Sequence, residues 1–307
     1  MKILLISGFL GAGKTTFIKE LIRQTGTKAV IMENEYGDNN LDSLDIQNAA
    51  QKKDEVKVLE FMEGCVCCTM KDSFVNSVFA IYSSLSPEYL IIEPTGVGKL
   101  SNIINNLKPL LGENVSLLKP CVVISPEGYE ENMRQWQALY EDQIKSAQTV
   151  IFSKCENTDP NILESVSDKV KKLNPNANII SRHYTTMDTT WWNSLLDIGA
   201  DELAKGDGAL GGDISFSEVS ITEGGLHNAG ELIVFLEDCL HGEFGKVARA
   251  KGTLWVDTEF VRFDLADRMY IMSDSPDDKC QCVVIGQGLD EKKIRERLSP
   301  GRKFLRR

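Results

Sequence analysis

Histidine is scarce, with three residues in a chain of 307. His183, His227 and His241 stand too far apart for a local metal motif, and each reads as a surface or loop residue. Positive charge is also in deficit. Lys and Arg total 34 against 45 Asp and Glu, for a net charge of −11 and a sequence pI of about 4.9. A phosphate backbone demands basic patches, so nucleic acid is not an expected partner. The basic stretch KKIRERLSPGRKFLRR at the C-terminal end reads as a solvated helix face followed by a frayed end. No apolar run approaches the length of a membrane span, so no membrane partner is expected. Met1-Lys2 leads straight into a strand-like segment, so no signal peptide is expected and a cytoplasmic location follows. No internal repeat stands out. What remains is 42% hydrophobic and 26% charged, the balance of a soluble globular protein with room for one large domain or two ordinary ones. Eight cysteines are present. In a reducing compartment, clustered cysteines point to metal or redox chemistry before disulfides.

The strongest positive signal is GFLGAGKTT, Gly8 to Thr16, a full match to G-x-x-x-x-G-K-[ST]. A phosphate chain needs several N–H donors aimed into one hollow, and glycine lets the backbone wrap that closely. Gly8, Gly11, Ala12, Gly13, Lys14, Thr15 and Thr16 are the candidate nucleotide-binding residues. Lys14 reaches toward the β- and γ-phosphates, and the Thr15 hydroxyl is placed for Mg²⁺. KILLIS before the loop suits a buried parallel strand. TTFIKELIRQ after it carries Phe17, Ile18, Leu21 and Ile22 at helical spacing. Strand, glycine loop and helix together set a helix N-terminus under the phosphates.

Strand and helix patterns then alternate. TKAVIMENEYGD, VKVLEF, PEYLIIEPTGVG, SLLKPCVVIS, QTVIFSKCE and ANIISRHY read as strands. KDSFVNSVFAIYSSL, LSNIINNLKPLL (with a break at Pro109), EGYEENMRQWQALYEDQIKSA, DPNILESVSDKVKKLNP and TTWWNSLLDIG read as helices. The expected fold is α/β, a P-loop type, doubly wound and largely parallel sheet over residues 1–200. The polar stretch Asn39 to Glu55 makes a poor core. Residues 201–213 are rich in glycine and charge and are the expected linker. Residues 214–307 carry short strands (ISFSEVSIT, AKGTLWVDT, FVRFDL, RMYIMS, QCVVIG) with two helical stretches near 229–240 and 290–298. They suggest a smaller α+β domain with an antiparallel sheet.

Three further motifs carry chemistry. In LIIEPTG, an apolar strand ends in Glu93, the position at which P-loop proteins place a water-mediated Mg²⁺ ligand. Gly96 beyond it can bring a backbone N–H toward the γ-phosphate. In SKCE, Ser153 and Lys154 fit the guanine-recognition pattern [NS]-K-x-D, with Glu156 in place of the aspartate. Its carboxylate offers the same acceptors on a longer arm. In GCVCC, three thiols fall within four residues. Cys65, Cys67 and Cys68 favour Zn²⁺ and similar ions and leave a fourth tetrahedral position open. Cys280 and Cys282 read as core, Cys121, Cys155 and Cys239 as structural, and Trp191-Trp192 as packing.

With the phosphate loop, MENEYGD, GCVCC, EPTG and SKCE in this order, and EFGKVARAKGTLW in the second half, the chain resembles the CobW family of metallochaperone GTPases, relatives of UreG and HypB within the SIMIBI class. The resemblance spans the whole chain. It implies a Mg²⁺-dependent enzyme that cycles between GTP and GDP, binds Zn²⁺ or Co²⁺, and hands the ion to a client metalloprotein or to a cofactor pathway such as cobalamin metabolism. It implies Glu33, Cys65, Cys67 and Cys68 as the ion's ligands, Lys14, Thr15 and Glu93 as the catalytic set, and Asp38 as a switch residue without an assigned role. It implies a CobW-like C-terminal domain and a nucleotide-dependent homodimer. The histidine-rich storage loop of many members is missing. Three other readings compete: a P-loop ATPase or small-molecule kinase, a metal storage or regulatory module with a vestigial nucleotide site, and a redox protein using C-x-C-C.

Overall fold

The computed structural model describes residues 1–35, 56–62, 70–200, 216–266, 269–275 and 279–298. The described residues up to Ala200 form one compact unit and those from Phe216 a second. The proposed linker, 201–213, lies outside the described residues.

In the first unit the strands are β1 (Lys2–Ser7), β2 (Ala29–Glu35), β3 (Val56–Met62), β4 (Tyr89–Glu93), β5 (Ser116–Leu117), β6 (Cys121–Ile124), β7 (Thr149–Phe152) and β8 (Asn178–Ile180). They form one sheet in the order β3-β2-β4-β1-β6-β7-β8, with β5 also on β1, and every pairing is parallel. Apolar runs such as KILLIS and YLIIE are buried on both faces, as a sheet covered by helices requires. The helices are α1 (Lys14–Thr25), α2 (Met70–Leu85), α3 (Leu100–Leu107), α4 (Tyr129–Ser146), α5 (Pro160–Leu173) and α6 (Thr189–Asp197). The chain order thus reverses beside β1, whose C-terminal end opens into the crevice where doubly wound folds bind ligands.

The apolar stripe anticipated for α1 is its buried face: Phe17, Ile18, Leu21 and Ile22. Phe17 is fully buried and meets Tyr184 edge-on at 5.0 Å and Trp192 at 5.2 Å. The Trp191-Trp192 pair therefore packs, as expected, and clamps the helix that follows the phosphate loop. Asp159 caps α5 and Asp188 caps α6 through their carboxylates. At Pro109, α3 gives way to a short 3₁₀ turn over Lys108–Leu110.

Some expected boundaries shift. The strand expected over 116–125 is two short strands, both against β1. Pro120 separates them: it has no N–H for the ladder, while its carbonyl accepts from the Gln148 and Thr149 amides at 2.9 and 3.1 Å. The strand expected over 148–156 ends at Phe152, because Lys154 takes a left-handed φ of 52°.

The second unit is a sheet in the order β13-β12-β11-β14-β9, built from β9 (Ser217–Ile221), β11 (Lys246–Val256), β12 (Glu259–Ala266), β13 (Met269–Asp274) and β14 (Gln281–Gln287). Its neighbouring pairs along that order are antiparallel. An unanticipated short strand, β10 (Gly225–Leu226), lies parallel to β11. Val261, Phe263 and Leu265 alternate inward along β12. They share a core with Leu232, Phe235 and Leu236 of α7 (Ala229–His241) and with Ile294 and Leu298 of α8 (Glu291–Leu298). Cys282 belongs to this core and Cys280 packs against it.

Among the described residues no helix is long and apolar enough to cross a membrane.

Candidate nucleotide and metal site

The phosphate loop leaves β1 at Gly8, whose φ is 147°. A β-carbon there would fall 2.3 Å from the Val123 carbonyl oxygen of β6, so only glycine fits. The Ala12 amide closes a turn onto the Phe9 carbonyl at 3.2 Å. Gly11 and Gly13 are left-handed, at φ 76° and 91°, and Gly13 delivers the chain into α1. The first turn of α1 has no acidic residue and no side-chain cap among the described residues. A helix N-terminus presents backbone N–H donors and the positive end of its dipole, and that of α1 follows directly on the loop.

Lys14, 6% exposed, lies with Nζ 3.3 Å from the Phe9 carbonyl and 3.9 Å from Glu93 Oε1. The opposite charges make the burial of both tolerable. The Thr15 hydroxyl is within hydrogen-bond distance of both Glu93 carboxylate oxygens, at 3.0 and 3.1 Å. Hydroxyl and carboxylate are hard oxygen donors contributed by only two side chains, the kind of partial set that Mg²⁺ completes with phosphate and water. The donor chemistry therefore fits Mg²⁺.

Gly96 is tied to the phosphate loop by contact. A β-carbon on it would lie 2.5 Å from the Leu10 amide nitrogen and 2.8 Å from Leu10 Cα. The residue thus holds the EPTG turn against the Phe9–Leu10 backbone of the phosphate loop, a role not visible in the motif. Gln143 of α4, fully buried, fixes the same turn by donating Nε2–H to the Gly96 and Gly98 carbonyls at 3.1 and 3.0 Å. Nothing in the sequence pattern of α4 singles out that glutamine.

Ser153, Lys154 and Glu156 follow β7. The Ser153 hydroxyl is buried and donates to the Ala12 carbonyl at 2.6 Å, so it joins the segment after β7 to the phosphate loop. Lys154 is exposed and its left-handed backbone is uncommon for a residue with a β-carbon. Cys155 is buried, and burial first, then Glu156, raises its thiol pKa. Glu156 Oε1 stands 3.1 Å from His183 Nε2. His183 does lie in a loop, as expected, but its side chain is only 12% exposed, so it is not a free surface group.

Glu33 is 3% exposed and sits opposite Glu93 in the β2–β4 register. Register partners in a parallel pair face the same side of the sheet. Its other register partner is Glu60 of β3. Cys65, Cys67, Cys68 and Asp38 lie outside the described residues. Among the described residues no group of three or more His, Cys, Asp or Glu is placed to hold a metal. The described cysteines, Cys121, Cys155, Cys239, Cys280 and Cys282, are free thiols.

A glycine loop between a central parallel strand and a helix, with an acidic residue ending the adjacent strand, defines a P-loop nucleotide-binding protein. The family model for the CobW/HypB/UreG nucleotide-binding domain matches residues 2–181, and the model for the cobalamin synthesis protein cobW C-terminal domain matches residues 216–300. The chain belongs to the CobW/HypB/UreG family, with the P-loop GTPase core and separate antiparallel C-terminal sheet of that family. It is 24% identical to the zinc chaperone YjiA of Escherichia coli, over 95% of each chain. It is 26% identical to the zinc chaperone CobW of a Sinorhizobium species, over 54% of each, and 24% identical to the zinc-regulated GTPase metalloprotein activator 1 of Dictyostelium discoideum, over 57% of this chain and 44% of that one. The chain thus spans about half the length of the latter two relatives. The solved structure of Zn(II)-bound YjiA GTPase from E. coli aligns over 97% of each chain at 19% identity, with a TM-score of 0.48.

Proposed function

We propose that this protein is a GTP-hydrolysing zinc metallochaperone. The observation that carries the coupling is the Glu33–Glu93 register: the residue assigned to the carried ion is the strand partner of the residue whose carboxylate accepts from Thr15 of the phosphate loop. A change in Glu93's partners on nucleotide turnover is felt one strand away.

In this reading Lys14 and the α1 N-terminus hold the phosphates, and Thr15 and Glu93 hold Mg²⁺, which supplies charge neutralisation on the transferred phosphoryl group. Gly96 and Gln143 set the EPTG turn beside the loop. Ser153, Lys154 and Glu156 read guanine. Zn²⁺ is the cargo, taken by Glu33, Cys65, Cys67 and Cys68. Thiolate ligands also accept Co²⁺, so delivery to cobalamin metabolism is the second form of the proposal. The receiving partner is a client metalloprotein or a cofactor-biosynthesis protein, the protein pairs with itself around nucleotide, and it works in the cytoplasm.

The test follows zinc during turnover. Protein loaded anaerobically with Zn²⁺ and Mg²⁺-GTP is mixed with a chromophoric chelator, and zinc release is followed alongside phosphate release. The proposal expects release to track hydrolysis and both to be lost in Lys14→Ala. Zinc release at the same rate in Lys14→Ala refutes it.

A further inference from the structure

Glutamate at position 156 has one more rotatable bond than the aspartate usual in guanine-recognition segments. A freely moving arm must be frozen each time it grips a base. Glu156 is more than half exposed, so its own packing does not hold it. His183, 27 residues further along the chain, stands against it.

The His183 ring is fixed on three sides. It stacks on Tyr184 with ring centres 4.3 Å apart. Tyr184 is buried and packs on Phe17 and Trp192 in the core under the phosphate-loop helix. His183 Nδ1 is 2.8 Å from the Thr185 hydroxyl, and Nε2 is 3.1 Å from Glu156 Oε1. One neutral tautomer satisfies every group: the Thr185 hydroxyl donates to Nδ1, and Nε2–H donates to the carboxylate. Each carboxylate oxygen has two lone pairs, so accepting from His183 leaves acceptors on both oxygens for the N1–H and exocyclic amine of a guanine.

We propose that His183 is a positioning residue for base selection, a strut that holds the Glu156 carboxylate where the shorter aspartate would stand unaided. The proposal rests on the reading of Ser153–Glu156 as the guanine-recognition segment. It assigns the His183 loop a part in choosing the nucleotide that the phosphate-binding motif does not supply.

The experiment measures GDP and ADP affinity by displacement of a fluorescent guanine nucleotide from the purified full chain. The variants are Glu156→Ala, His183→Ala, His183→Gln and His183→Ala/Glu156→Asp. GDP binding should weaken about tenfold in His183→Ala, the cost of freeing the arm and losing a charge-assisted bond, with ADP binding unchanged. Glutamine carries an amide N–H near the place of Nε2–H, so His183→Gln should keep most of the preference. The double variant should regain it, because aspartate needs no strut. The proposal is overturned if His183→Ala leaves the GDP-to-ADP ratio intact while Glu156→Ala collapses it; the guanine reading then survives alone. If Glu156→Ala also leaves the ratio intact, the guanine reading falls and the strut with it. An equal loss of GDP and ADP affinity in His183→Ala, unrepaired by the other variants, marks a purely structural histidine and overturns the proposal too.

Discussion

Gly96→Ala offers a sharp check on how the nucleotide site is held together. The added β-carbon would lie 2.5 Å from the Leu10 nitrogen and 2.8 Å from both Leu10 Cα and the Phe9 carbonyl carbon. All three are backbone atoms of the phosphate loop, so no side chain can swing aside. Ordinary carbon contacts are about 3.5–4.0 Å, so the EPTG turn and the loop must separate by roughly 1 Å. Overpacking of this kind costs about 1–3 kcal/mol of stability. Misplacement by about 1 Å at a reacting centre costs on the order of 10²-fold in rate. Gly98→Ala is the matched control: its β-carbon would meet the Thr95 carbonyl oxygen at 3.3 Å, a contact a few tenths of an ångström of movement relieves. Urea unfolding, guanine-nucleotide binding and GTP turnover should all show Gly96→Ala impaired and Gly98→Ala close to the parent. A Gly96→Ala protein with parental stability and turnover would refute the close approach on which the site's description rests.

Gln143→Leu removes the donor shared by the Gly96 and Gly98 carbonyls. It should cost about 1–3 kcal/mol for the buried Gly96 carbonyl and weaken a non-hydrolysable GTP analogue about tenfold, ~1.4 kcal/mol, while sparing GDP. Isothermal titration with the two nucleotides checks this, and equal effects on both would contradict it. Burial pushes the Cys121 and Cys239 thiols up to about 12 and Cys280 to about 11, with Cys282 well above its ordinary value. Cys155 is buried and raised as well, and all five groups should resist alkylation at neutral pH, so the thiols that react in the native protein should be Cys65, Cys67 and Cys68, and Zn²⁺ should protect all three together. Peptide mapping after brief labelling decides it. The same shifts make stability fall at high pH. Folded-state values above the unfolded ones leave stability full below about pH 8.5, and it is lost as pH rises toward the folded values, by at most about 1.4 kcal/mol per pH unit for each thiol. Denaturation midpoints between pH 8 and 10 measure the slope.

Legibility in the sequence followed the reach of each interaction. The phosphate loop could be read because glycines at fixed offsets impose their geometry locally, and Gly8, Gly11 and Gly13 all take positive φ. The helix face of Phe17, Ile18, Leu21 and Ile22 could be read because burial repeats with the helical period. Thr15 and Glu93 were paired by motif, although 78 residues apart. Contacts without periodicity or motif stayed hidden. Gln143 reaches the EPTG turn across 47 residues, and His183 meets Glu156 across a strand and a helix. The interruption at Pro120 was masked by the apolar residues on either side of it.

The account turns on whether the nucleotide changes the grip on the ion, and an equilibrium measurement reads that directly. Zinc affinity is measured anaerobically by competition with a chromophoric chelator, with the protein saturated either by Mg²⁺-GDP or by a Mg²⁺-bound, non-hydrolysable GTP analogue. The account predicts dissociation constants differing by about tenfold or more, a coupling of ~1.4 kcal/mol, with the same factor returned when nucleotide affinity is measured with and without zinc. Equal zinc affinity in the two nucleotide states would contradict it.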